Sequence, residues 1–324
     1  MANNSHNLRG AALALLGMGL YATHDVVVKH LGSTYSAIQI LFFGAIMSFP
    51  LVSFISLADR EGGSLRPRQP LWVILRSVCM VLGTVSAFYA FTVLPLAQTY
   101  AILFATPLLV TLLSIPMLRE RVGFHRMAAV IVGLIGVLVV LRPGQEPLSL
   151  GHLAALLSAA TGALTSIITR KVGGSERPLL MLLFPMLGNV IVMGALLPFV
   201  YLPMPLHDLG FLSIIAVLGL AAAFLMIHAF RAGEAVIVAP MQYSQIIWAT
   251  GYGYLLFAET LDGPTFAGAS IIIASGIYIV LREALPNRSR NRPALNTGAR
   301  NETVTLPRFS TLARIIGFSP RQDR

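Results

Sequence analysis

The apolar stretch 235–257 carries an unusual run of amides and aromatic rings. Gln245, Trp248, Ala249 and Tyr252 share one face at about 100° per residue, with Gln242 beside it. Two rings can stack on a flat heterocycle while the amides pair with its polar edge. An isoalloxazine or a purine has that shape. The same amides can instead hydrogen-bond to a neighbouring helix. Tyr243 and Tyr254 lie off this face, where packing or an interfacial position is expected.

His24 and Asp25 form a second cluster. Asp25 is the only carboxylate well inside an apolar stretch. It can accept a proton, bind a cationic substrate, or pair with Lys29 one turn later. His24 is the second candidate for moving a proton, or else a hydrogen-bonded core residue. Arg76 stands about one and a half turns into another stretch, where it snorkels to the headgroups or meets an anion. There is no His-Glu-x-x-His, no Gly-x-Ser-x-Gly and no Cys–His cluster, so neither a metal site nor a catalytic site is expected. Cys79 is the only cysteine, and it cannot form a disulfide within the chain.

The elements that position these residues follow from composition. Of 324 residues, 56% are apolar and 11% are charged. About a quarter charged is usual for a soluble domain. Too few charges remain to cover a soluble surface, which excludes a cytosolic globular enzyme, a disordered chain and a coiled coil. The chain reads as an all-α integral membrane protein with ten transmembrane helices. They fall at 9–31, 35–57, 71–93, 96–117, 125–141, 150–169, 179–200, 209–230, 235–257 and 264–281. A barrel would alternate in polarity, whereas runs such as Ala128–Leu141 are continuously apolar. The first stretch is too long for a cleaved signal peptide. Ala155, Ala159 and Ala163 repeat every fourth residue, which lets another helix approach closely.

Charge placement gives an orientation. With the N-terminus inside, 20 of the 23 basic residues fall on the cytoplasmic side. Both termini are then cytoplasmic. The net charge of +10 reflects topology rather than a nucleic-acid partner. The tail 283–324 is basic and expected to be disordered. Leu312, Ile315, Ile316 and Phe318 could alternatively form a short turn on anionic lipid.

The chain also repeats itself. Tyr89-Ala90-Phe91 matches His228-Ala229-Phe230, and Glu120 matches Glu259 at the same offset. Gly10, Lys29 and Gly32 match Gly151, Arg170 and Gly173. Two five-helix units result, 10–142 and 151–282. Five is odd, so the second is inverted. Inverted repeats are the architecture of secondary transporters, with a site near the midplane. Tyr89 and His228 are repeat partners that either line such a cavity or sit in the core. Glu120 and Glu259 are expected to cap helices or anchor loops. The competing classes are a membrane-embedded enzyme and a non-transporting subunit.

The residues from Phe88-Tyr89-Ala90-Phe91 through Leu94-Pro95-Leu96-Ala97-Gln98, Phe104-Ala105-Thr106-Pro107 and Leu118-Arg119-Glu120-Arg121 to Gly133-Leu134-Ile135-Gly136 resemble the EamA domain of the drug/metabolite transporter superfamily. The second half resembles it again, from His228-Ala229-Phe230 to Phe257-Ala258-Glu259 and Ser275-Gly276. Ile246 stands where Pro107 does, which predicts loss of that helix break. The resemblance implies ten helices, a central cavity, no ATP hydrolysis and no prosthetic group. Members move amino acids, nucleotide-like metabolites, S-adenosylmethionine, riboflavin and drugs. The pattern from Ala239 to Gln245 with Trp248-Ala249 looks most like the branch containing bacterial riboflavin importers. The expectation is an inner-membrane transporter, monomeric or homodimeric, with a small-molecule substrate, best guessed as riboflavin. Export or exchange of another metabolite is the alternative.

Overall fold

The computed structural model describes residues 2–57, 67–120, 122–144, 148–172, 176 and 178–284. Its regular elements are helical throughout. They are α1 (Ala2–Gly32), α2 (Ala37–Leu57), α3 (Pro70–Val93), α4 (Leu96–Leu103), α5 (Thr106–Leu118), α6 (Phe124–Leu141), α7 (Leu150–Val172), α8 (Pro178–Leu196), α9 (Leu206–Ala232), α10 (Ala235–Val238), α11 (Gln245–Phe257) and α12 (Gly263–Ala284). Short 3-10 turns cover Leu197–Phe199 and Ala239–Ser244. Apolar surroundings offer backbone groups no water, so each segment satisfies them internally as helix.

Seven segments among the described residues are long and apolar enough to cross a membrane: Asn7–Gly32, Pro70–Val93, Leu96–Leu118, Phe124–Leu141, Leu150–Val172, Leu206–Ala232 and Gly263–Arg282. Ala37–Ser48 and Leu183–Phe199 are shorter apolar helices. The protein is therefore a multi-span helical membrane protein. The stretch 235–257 is not one helix but α10, a 3-10 turn and α11. The stretch 96–117 likewise divides into α4 and α5, with Pro107 in the first turn of α5. A proline lacks the N–H that would continue the ladder.

The expected continuity of the ninth stretch is thus not observed. Pro240 stands at the start of the 3-10 turn and interrupts that stretch without a proline at Ile246. Most of the tail, 285–324, lies outside the described residues, and α12 continues to Ala284.

Helices pair along their lengths: α1 with α9, α3 with α7, and α6 with α12. The α6–α12 seam is backbone on backbone. A methyl group on Gly136 would lie 2.8 Å from the Gly268 carbonyl, and one on Gly268 would lie 2.6 Å from the Gly136 carbonyl. Ala155, Ala159 and Ala163 are completely buried, as their spacing predicted.

Equivalent features recur in the two halves. Arg119 and Ala258 end α5 and α11 in the left-handed region, with φ of 55° and 54°. The next residue, Glu120 or Glu259, donates its N–H to the carbonyl of Ser114 or Gly253. One difference stands out. α1 packs on α3, whereas α7 and α9 make no comparable contact among the described residues.

Candidate functional site

His24 and Asp25 are both 0% exposed, deep in α1. The His24 Nδ1 lies 2.8 Å from Asp25 Oδ1. The other carboxylate oxygen accepts a hydrogen bond from the Tyr100 hydroxyl of α4. Tyr100 is itself buried, edge-on to Phe91 with ring centroids 5.2 Å apart. Phe88 of α3 meets the His24 ring edge-on at 6.1 Å. The His24 Nε2 is buried and has no hydrogen-bond partner.

Thr23, the residue before His24, reaches a different helix. Its hydroxyl shares a 3.0 Å hydrogen bond with the Tyr252 hydroxyl of α11. Tyr252 stacks on Trp248 at 6.4 Å with 26° between the ring planes. Trp248 lies against Gly19, where a methyl group would come within 3.3 Å of the indole. Contacts from Gly19 and Thr23 to Trp248 and Tyr252 advance together by four residues, so α1 and α11 run side by side here. Gln245 begins α11, 3% exposed, with a buried Nε2 that lacks a partner. Gln242 sits half-buried in the 3-10 turn.

The predicted residues therefore divide. Gln245, Trp248 and Tyr252 share α11, and Tyr252 meets the residue next to the His24–Asp25 pair. Tyr89 and His228 are exposed on α3 and α9. His228 Nδ1 lies 2.8 Å from the Phe224 carbonyl of its own helix. No hydrogen bond or ring contact among the described residues joins either to the α11 cluster. Tyr243 is buried in the core, and Tyr254 is 66% exposed.

The charges have definite partners. Lys29 does not take up Asp25; it forms an ion pair with Glu259 at 2.5 Å and donates to the Leu94 carbonyl at 2.5 Å. The second Glu259 oxygen accepts the Leu96 N–H at 2.9 Å, in the first turn of α4. Glu259 thus caps a helix, as anticipated. At the other end of the molecule, Glu120 pairs with Arg170. Arg76 neither snorkels nor waits for an anion. It donates to the Thr169 hydroxyl at 2.7 Å and the Met181 carbonyl at 2.6 Å. No group of three or more His, Cys, Asp or Glu suited to a metal occurs among the described residues.

The hydrogen bond from Tyr100 to Asp25 was not anticipated from the sequence. The available signal was a polar run, Gln98-Thr99-Tyr100, one turn inside an apolar helix.

A helical, multi-span membrane protein with polar side chains converging inside its bundle has the form of a transporter. Comparison with known proteins makes this specific: the chain belongs to the EamA-like transporter family, whose model matches twice, at 8–142 and 149–282. Among curated relatives, the S-adenosylmethionine uptake transporter of Rickettsia bellii is 27% identical over 275 residues, covering 85% of this chain and 94% of the relative. The pseudopaline exporter of Pseudomonas aeruginosa is 27% identical over 273 residues, covering 83% and 95%. The riboflavin transporter of Vibrio cholerae is 26% identical over 297 residues, covering 89% and 98%. The relatives are named as transporters, not enzymes.

Proposed function

We propose that this chain is a secondary-active transporter of a small heteroaromatic metabolite. It works by alternating access between two inverted five-helix repeats, 10–142 and 151–282, which form ten membrane spans. The double family match supports two units. So do the ion pairs: Lys29 and Arg170 are repeat partners, as are Glu259 and Glu120, and each pair joins one repeat to the other. Contact of α1 with α3, without a comparable contact of α7 with α9 among the described residues, supports a conformation closed at the Lys29 end.

The observation that carries the substrate class is Gln245. Its buried amide N–H groups lack a partner at the base of the helix that presents the Trp248–Tyr252 stack. A donor left unsatisfied in an apolar bundle is costly. A flat ring with acceptor edges, stacked on the indole, would satisfy it. Riboflavin is the specific proposal. Tyr89 and His228 extend the candidate lining, with Gln242.

A second reading has its own support. Asp25 puts a carboxylate inside the bundle, which suits the positive charge of S-adenosylmethionine, whose adenine fits the same stack. The charge map supports a bacterial inner membrane with both termini cytoplasmic. The partners proposed are the lipid bilayer and the small-molecule substrate, with the chain monomeric or homodimeric.

The test is expression in a riboflavin auxotroph lacking an importer, alongside uptake of labelled S-adenosylmethionine. Growth on low external riboflavin supports the first reading. Uptake of S-adenosylmethionine alone replaces it with the second. Flux of neither, with the protein in the membrane, refutes both.

A further inference from the structure

We propose that His24, Asp25 and Tyr100 form one proton-binding site, with His24 Nε2 as the atom that takes the proton. The inference rests on the transport reading and names what drives it. A carboxylate offers only acceptors. Tyr100 O–H donates to one Asp25 oxygen, so the imidazole Nδ1–H donates to the other. That tautomer leaves Nε2 with a lone pair, buried and facing no donor. A fully buried acceptor without a donor is uncommon in folded proteins.

The proton balance is simple. A hydronium ion gives its proton to the Nε2 lone pair and leaves as water. The Nδ1–H bond and the Tyr100 O–H bond stay intact. The triad passes from a net charge of −1 to zero, and the His24–Asp25 contact becomes an ion pair with a charge-assisted hydrogen bond. Release reverses the step.

On α1, Tyr21 is buried one turn before Asp25, and Lys29, one turn after it, is engaged by Glu259. α4 contributes Tyr100, and α11 contributes Tyr252 through Thr23. α3 brings Phe88, while its Arg76 is bonded to Thr169 and Met181, and its Tyr89 is exposed. α2 from Ala37 to Ser48 carries no titratable group, nor does α9 from Phe211 to Ala222, the part that lies level with His24. In the 3-10 turn, Tyr243 meets Phe104. His24 and Asp25 are 0% exposed, so the proton enters only when α1 moves. Thr23 stands next in line and holds Tyr252. Any such movement therefore also disturbs the α11 face proposed for substrate.

The test uses the full chain in liposomes, with labelled riboflavin and labelled S-adenosylmethionine as probes. Two assays run in parallel: exchange without a gradient, and accumulation driven by a pH gradient of either sign. The expected result is accumulation by the unaltered protein under one sign of gradient. His24→Gln should retain exchange of whichever probe crosses, and Asp25→Asn should retain exchange of riboflavin, while each lowers gradient-driven accumulation by about tenfold or more, equivalent to about 1.4 kcal/mol. Accumulation that ignores pH, or that survives both substitutions, overturns the proposal while leaving transport intact. Should neither probe cross, the transport reading fails instead. Infrared difference spectra of the unaltered protein between acid and alkaline buffer then decide separately. A histidine protonation signal abolished in His24→Gln supports the site, and its absence refutes it.

Discussion

Lys29 and Glu259 form an ion pair at 2.5 Å, and Glu259 simultaneously caps α4 through the Leu96 N–H. One carboxylate thus ties the ends of α1, α4 and α11 together. Both side chains are largely buried, so loss of one partner strands the other. Removing one member of such a pair costs about 3–5 kcal/mol in buried settings. Lys29→Met should therefore lower the melting temperature in detergent markedly. Glu259→Gln should be milder, because an amide oxygen still accepts from Leu96. The exchange Lys29→Glu with Glu259→Lys should recover less than the ion pair alone would return, since a lysine cannot accept the Leu96 N–H. Full recovery would show that the cap contributes nothing.

Substitutions on α11 should separate binding from packing. Trp248→Ala removes the stacking surface proposed for substrate. Stacking of a flat ring on an aromatic side chain is worth about 1–3 kcal/mol, so apparent affinity should fall about fivefold to 150-fold. Gln245→Ala should weaken affinity without lowering the melting temperature, because its amide N–H groups lack protein partners. Tyr254→Ala, on the exposed side, should change neither. Competition binding and thermal melts on the same preparations check all three.

Gly276 of α12 lies against the Tyr243 hydroxyl. A methyl group there would sit 1.8 Å from that oxygen. Gly276→Ala should destabilise by about 1–3 kcal/mol through overpacking. Adding Tyr243→Phe should restore part of the loss, because it removes the nearest atom. Thermal melts of the single and double variants measure that coupling.

Tyr35, between α1 and α2, donates to Asp208 at 2.5 Å. That hydrogen bond, then burial and the Asp208 charge, raise its phenol above the ordinary 10.0. The folded value exceeds the unfolded one. The contribution is fully present below the unfolded value and disappears as pH rises through the folded one. The stability gap between the unaltered protein and Tyr35→Phe should thus be flat at neutral pH and close only above about pH 10. A gap that closes below that range would show that another group controls it.

Much of this architecture was readable from composition and periodicity, which depend on local pattern. Scarcity of charge singled out Asp25, and matching segments singled out Lys29 with Arg170 and Glu120 with Glu259. Partner choice was less accessible. The i,i+4 rule offered Asp25 to Lys29, but a helix end brought Glu259 within reach, and that geometry won. Tyr100 lies 75 residues from Asp25, and only packing of α4 on α1 reveals the contact. Arg76 near a membrane boundary invited snorkelling, whereas two acceptors on α7 and α8 hold it inward. The interruption before α11 needed Pro240, which carries no repeat counterpart at Pro107.

The ion pairs Glu120–Arg170 and Lys29–Glu259 also differ in when they can form during synthesis. Glu120 and Arg170 are 50 residues apart, so that contact becomes available as soon as α7 leaves the ribosome. Lys29 emerges in the first helix, yet its partner follows the eleventh. Throughout most of translation, the lysine must be held by water, headgroups or a chaperoning insertase. A chain that stops short of Glu259 can already hold the Glu120–Arg170 pair but lacks the tie at the Lys29 end.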